Sequence, residues 1–186
     1  MVPIMSLWVP ILLSAVLVFI VSSIIHMALP WHRGDMKRLP AEDEVMEAIR
    51  RANVPPGDYM APYAGSMAAM KDPAFLEKRM KGPIVSMTVV QGGPPSMGSS
   101  LFLWFLYSVL VSLLAAYVTG HALGPGAHYM TVFRFISATA FMGYSLALLQ
   151  NSIWYKPNWG ATIKTMIDGL LYGLVTAGAF GWLWPK

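Results

Sequence analysis

Four histidines, nine carboxylates and no cysteine define the chemistry open to this 186-residue chain. Without thiols, disulfides, thiolate zinc sites, iron–sulfur clusters and cysteine nucleophiles are all excluded. What remains is histidine, carboxylate and lysine chemistry, the handling of protons or the binding of a ligand. The informative groups are those set in apolar surroundings. Lys164 and Asp168 fall in the first two turns of an apolar stretch, 163–184, where a charge is costly and marks a functional candidate. They are four residues apart on one helical face, a spacing that predicts a local ion pair. Gln150 and Asn151 close the stretch 131–152, and His26 closes 7–29 with His32 just outside it. The candidate site is therefore a polar cluster of His26, Gln150, Asn151, Lys164 and Asp168 at one membrane face. Its functional reading is a proton- or ligand-handling site. The plain reading is interfacial snorkelling around a paired charge. The plain one carries more weight, because Asp168 lies only roughly 8 Å along its helix from the start of the apolar stretch.

Other chemistries find less support. A bis-histidine haem needs two imidazoles at one depth on facing helices. His26 and His121 end successive spans at opposite faces, so neither haem nor another cofactor is indicated. The same separation argues against a multi-histidine metal site unless the loop after His26 contributes ligands. No Gly-x-Ser-x-Gly, Walker A or Gly-x-Gly-x-x-Gly occurs, and the chain reads as non-catalytic rather than as an enzyme. Arg134 lies near the face opposite Asp168, as do His121 and His128, and reads as an arginine reaching headgroups.

The elements that must position these groups are membrane spans. Hydrophobic residues make up 56% and charged residues 12% of the chain, too little charge to solvate a globular surface. Residues 7–29, 100–123, 131–152 and 163–184 are each long and apolar enough to cross a bilayer. The first lacks a basic flank and a cleavage site and is expected to remain as an anchor. Eleven Lys and Arg lie on the side of segment 30–99 against Arg134 and Lys186 on the other, which predicts that segment inside and both termini outside. The reading is an all-α membrane protein of four transmembrane helices. Its parts are an N-terminal transmembrane helix (1–29), a partly folded cytoplasmic loop subdomain (30–99) and a three-helix bundle (100–186).

Within the loop, Glu42, Asp43 and Glu44 precede Arg50 and Arg51 with helical macrodipole order. Asp72-Pro73 starts a second short helix, and residues 84–90 are β-branched enough for a strand. Nine basic against eight acidic residues leave the loop nearly neutral, so nucleic acid is not an expected partner.

Small residues recur every fourth position in two spans: Gly169, Gly173, Ala177 and Gly181, and Ser108, Ser112, Ala116 and Gly120. Such stripes let helix backbones approach closely. Their matching spacing predicts that the two face each other within the chain; the alternative is that one docks a second copy or a membrane-protein partner. Trp154, Trp159, Trp182 and Trp184 read as belt residues at the lipid boundary.

Three stretches carry a resemblance: His26-Met27-Ala28-Leu29-Pro30-Trp31-His32-Arg33-Gly34-Asp35; Gly93-Pro94-Pro95-Ser96-Met97-Gly98 leading into Trp104-Phe105-Leu106-Tyr107; and Asp168-Gly169-Leu170-Leu171-Tyr172 with Gly181-Trp182-Leu183-Trp184-Pro185. Together they resemble a family of small polytopic bacterial membrane proteins. The resemblance implies a bacterial inner membrane and carries over no catalytic or binding residue. On function the expectation is an accessory or assembly partner of a membrane complex. The alternative is a small transporter or proton-linked carrier using Asp168, Lys164 and His26.

Overall fold

A computed structural model describes residues 1–94 and 96–186. The chain divides into two compact units, Met1–Lys37 with Ser96–Lys186, and Arg38–Pro95. Helices and strands are numbered along the chain. The first unit holds α1 (Ile4–Ala28), α4 (Gly98–Ala122), α5 (Tyr129–Tyr155) and α6 (Trp159–Leu183), each long and apolar enough to cross a membrane. The second holds α2 (Glu42–Arg51), β1 (Gly57–Ala61), α3 (Pro73–Lys81) and β2 (Val85–Val89). The fold is an all-α membrane fold with four spans and one small sheet.

In hydrocarbon every backbone polar group must be satisfied internally, which selects helices for the apolar stretches. Several hydroxyls are satisfied within their own helix. Ser22 and Ser23 both donate to Phe19 O, and Thr176 donates to Tyr172 O. Two spans depart from regular α geometry. α1 ends in a π-helical turn over Ile24–Ala28, and α5 carries one over Met142–Leu146. π-turns inside helices are frequent at functional positions.

α1 packs on α4 and α6, and α5 packs on the same two helices. Lipid tails are as apolar as leucine, so close packing and interhelical hydrogen bonds must hold the bundle. Phe180, Leu7, Ile136, Val18 and Val132 are fully buried between the helices. The stripe of α6 does not face that of α4. A Cβ at Gly173 would lie 3.1 Å from Ser137 O, and one at Gly181 would strike the Tyr129 ring, so this stripe meets α5. The α4 stripe meets α1 instead: Ser14 Oγ donates to Ser112 Oγ at 2.9 Å, and a Cβ on Gly120 would lie 2.8 Å from Val2 O. Val2 N also donates to Gly120 O at 2.7 Å, tying the N-terminus to the end of α4. Matching spacing on two helices did not make them partners, because α1 and α5 lie between them. Trp154, Trp159 and Trp182 are exposed, as a belt requires. Trp184 differs: it is buried and its Nε1 donates to Gly124 O at 3.0 Å, clamping the chain's end onto the α4–α5 loop.

In the second unit β1 pairs antiparallel with β2, Gly57 opposite Val89 and Ala61 opposite Val85. Asp72 Oδ1 accepts from Ala74 N at 2.8 Å and Pro73 follows, so α3 starts where its cap signal lies. α2 carries its acids in the first turn and its arginines in the last.

Candidate functional site

The site grows from the way α1 stops. Pro30 forces the preceding Leu29 into extended backbone (φ −89°, ψ 147°), which no helix can continue. A single 3₁₀ turn, Pro30–His32, then folds the chain back, and Asp35 N donates to His32 O at 3.1 Å. The reversal lays the His32 ring on the His26 ring, centroids 4.4 Å apart and planes 27° from parallel.

Against this reversal α6 presents three polar rungs, one per turn, at Lys164, Asp168 and Tyr172. Lys164 Nζ donates to Asp35 Oδ1 at 2.6 Å and to Trp31 O at 3.0 Å, and lies over the Trp31 ring. Asp168 Oδ2 meets His32 Nε2 at 2.7 Å. The Tyr172 hydroxyl meets His26 Nε2 at 3.4 Å. The other ring nitrogen of His32, Nδ1, lies 2.5 Å from Asp35 Oδ2. Behind Tyr172, Trp104 and Tyr144 close an aromatic wall with centroid separations of 5.8 and 5.5 Å from its ring. Ser22 Oγ accepts from Trp104 Nε1 at 2.8 Å, which ties that wall to α1.

Burial grades through the ladder. Asp168 is 1% exposed, His32 and Asp35 are half-buried, and His26 is exposed. The Lys164 ammonium, and then the His32 ring, hold the Asp35 carboxyl below the usual carboxylate range. His32 is bracketed by two carboxylates. A hydrogen bond on each side needs a proton at each contact, and a neutral imidazole carries only one N–H. Either the ring is an imidazolium or one carboxyl holds the second proton. The arrangement can hold a proton between Asp35, His32 and Asp168. It also gathers three donors for a cation: His26, His32 and Asp168 each offer one atom, all within 4.8 Å of one another.

Of the cluster expected from sequence, His26, Lys164 and Asp168 meet here, bridged by His32 and Asp35. Gln150 and Asn151 are exposed at the end of α5 and belong to none of these contacts. The local Lys164–Asp168 pair is not formed. The chain reversal gives each a nearer partner, Asp35 for the lysine and His32 for the aspartate. The expectation that histidines lie too far apart for a multi-histidine metal site left open a contribution from the loop, and the loop brings His32 beside His26. Sequence reasoning missed Asp35, Trp31 and Tyr172. The signal was present in Pro30-Trp31-His32-Arg33-Gly34-Asp35, where proline and glycine mark a turn that places an imidazole and an acid three residues apart. The remaining two histidines are spent locally. His121 Nδ1 bonds Tyr117 O at 2.8 Å, and His128 Nδ1 accepts from Met130 N as the cap of α5. Arg134 is exposed.

Compared with protein-family models, curated proteins and solved structures, the chain matches none.

Proposed function

We propose that this four-span membrane protein is a small cation carrier working through the ladder where α6 meets the end of α1. Asp168 carries the reading. It is a carboxylate buried within a membrane span whose partner is an imidazole, not a fixed cation. Intramembrane carboxylates facing the bundle interior are functional candidates by default, and ion pathways and proton relays are among the roles they fill. Had Lys164 paired with Asp168, the charge would be neutralised permanently. Lys164 is instead matched to Asp35, so the charge of Asp168 is balanced only by an exchangeable proton shared with His32.

The accessory-subunit reading drew on the small-residue stripes. These stripes meet α5 and α1 of the same chain, so they no longer point to a membrane-protein partner or a second copy. The excess of lysine and arginine around segment 30–99 supports that segment inside and both termini outside, and the family resemblance supports a bacterial inner membrane. Cysteines introduced at Ser6 and Ser66 test the orientation. An impermeant maleimide on intact cells should label the first and not the second.

For the carrier reading, the purified chain is reconstituted into vesicles, and proton and divalent-metal gradients are imposed in turn. Wild type should move at least one of these cations. Asp168→Asn should not, and Arg134→Gln, an exposed residue outside the ladder, should behave as wild type. Wild-type vesicles as tight as protein-free ones overturn the proposal.

A further inference from the structure

We infer that His26, His32 and Asp168 form a site for a first-row divalent transition metal ion of the zinc class, with Asp35 as the outer carboxylate that orients His32. This deepens the carrier reading by naming its cation and rests on that reading for its purpose, while metal binding is tested apart from transport.

Four observations lead there. First, the donors are two imidazole nitrogens and one carboxylate oxygen from three separate pieces of chain, the end of α1, the turn after it and α6, all within 4.8 Å. Two nitrogens and an oxygen suit zinc and its neighbours, whereas magnesium and calcium favour oxygen alone. Second, Asp35 Oδ2 sits on the far nitrogen of His32 at 2.5 Å. A carboxylate there is how metal-binding histidines are held: it keeps the proton on Nδ1 and turns the Nε2 lone pair toward the metal. Third, the charges sort themselves. Lys164, the one ammonium on the ladder, is bound by Asp35 and the Trp31 carbonyl, which leaves the Asp168 charge to the incoming ion. Fourth, burial leaves one open side. Asp168 closes the floor while His26 is exposed, so an ion can enter, and three protein ligands leave a position for water or a further ligand.

Binding an ion needs the stacked His26 and His32 rings to turn so that their lone pairs converge. Zinc bonds of 2.0–2.2 Å in a tetrahedron put donors about 3.4 Å apart. The 2.7 Å contact between His32 Nε2 and Asp168 Oδ2 must open, and the wider separations must close. The proton bridging that contact leaves to solvent as the metal enters. Asp35, Lys164, the Trp31 ring and the Tyr172 hydroxyl lie around the site.

The test uses the full chain in mild detergent, stripped with chelator and equilibrated with Zn²⁺, with Co²⁺ as a spectroscopic probe. The expected result is one Zn²⁺ per chain, not displaced by excess Mg²⁺, and a visible Co²⁺ band of low coordination number. His26→Gln and Asp168→Asn should each weaken binding by at least about 100-fold, and Asp35→Asn by about 10–100-fold. His121→Gln, at the other end of the bundle, should bind as wild type. If Asp168→Asn does not fold, the exposed His26 still carries the test. Absent stoichiometric Zn²⁺ binding, or affinity unchanged in both His26→Gln and His32→Gln, overturns the inference. Zn²⁺ bound in detergent without flux in vesicles would sink the carrier reading and leave the metal site standing. Proton flux without Zn²⁺ binding would do the reverse.

Discussion

At the end of the bundle where α1 stops, His26 and His32 stack on one another and meet Asp168, Asp35 and Tyr172. At the opposite end, where α4 gives way to α5, His121 and His128 bond to backbone within four residues of themselves. Both ends hold two histidines at helix termini, so residue type and place do not separate them. The acids do. Apart from Asp168, every Asp and Glu lies between positions 35 and 77, and the α4–α5 end has none. An imidazole with no acid within reach satisfies a nearby carbonyl or caps a helix. One that meets a buried carboxylate becomes half of a charged network. The chain reversal at Pro30 supplies the second acid and completes the difference.

The sharpest way to break this comparison is Asp168→Asn. Removing one member of a buried pair costs up to about 3 kcal/mol when the other is left uncompensated. Here His32 loses its buried partner but keeps Asp35, so the loss should fall below that figure while remaining the largest of the set. Thermal unfolding in detergent should show a large loss for Asp168→Asn. Adding His32→Gln should recover part of it, since neighbours in one network are non-additive. A strictly additive double variant would mean that the two do not act together.

The close packing that holds Asp168 in place gives the next largest effect. A Cβ on Gly169 would run into Ser145 Oγ and lie 3.1 Å from Tyr144 Cβ, at the π-turn of α5. Gly169→Ala should cost about 2 kcal/mol, in the range for overpacking. At the opposite end Gly181 faces the Tyr129 ring, which can swing aside, so Gly181→Ala should cost less. Gly178 has nothing within 4 Å, and alanine there should be neutral or slightly stabilising. Equal losses at all three positions would contradict the packing described.

How far the sequence reached follows the range of each interaction. The four spans were legible because a bilayer demands length and apolarity, and α3 because Asp72-Pro73 is a local start signal. β1 was not. Gly57-Asp58-Tyr59-Met60-Ala61 has no β-branched residue, and it is a strand because β2 pairs with it and Thr88 Oγ1 donates to Asp58 Oδ1 at 2.6 Å. The site divides the same way. His26, Lys164 and Asp168 stood out as polar groups at span ends. Their pairing was misjudged because the i,i+4 rule sees one helix at a time, while Asp35 arrives from 129 residues away. Spacing also identified two small-residue stripes but could not assign their partners, which depend on the order of helices around the bundle.

A smaller effect is expected at the acid-free end. His128 Nδ1 accepts from Met130 N at 3.2 Å, and with alanine that N–H at the start of α5 loses its partner. The loss should be about 0.5–1 kcal/mol, as for other helix caps. His121→Ala, whose ring packs on exposed Tyr117, should change the melting temperature still less. Effects at either position as large as that of Asp168→Asn would erase the distinction between the two ends.

The smallest effect is read through pH at Asp35. Its carboxyl is held below the usual carboxylate range, first by Lys164 and then by His32. For a carboxyl depressed in the folded state, the stabilisation is complete above the unfolded-state value, about 3.9. Below that the unfolded chain takes up a proton that the folded chain still refuses, so the stabilisation fades as pH falls through the lowered value. Wild type should therefore melt above Asp35→Asn at neutral pH, and the gap should shrink as the solution is taken well below pH ~4. The gap is modest because Asp35 is only half-buried and solvent screens the pair. Lys164→Gln sharpens the point by removing the larger cause. In that background the acid-dependent part of the gap should fall, leaving the part due to His32. A gap between wild type and Asp35→Asn that stays constant or widens on acidification would mean that the Asp35 charge contributes nothing to the fold. The α1 end would then differ from its opposite through Asp168 alone.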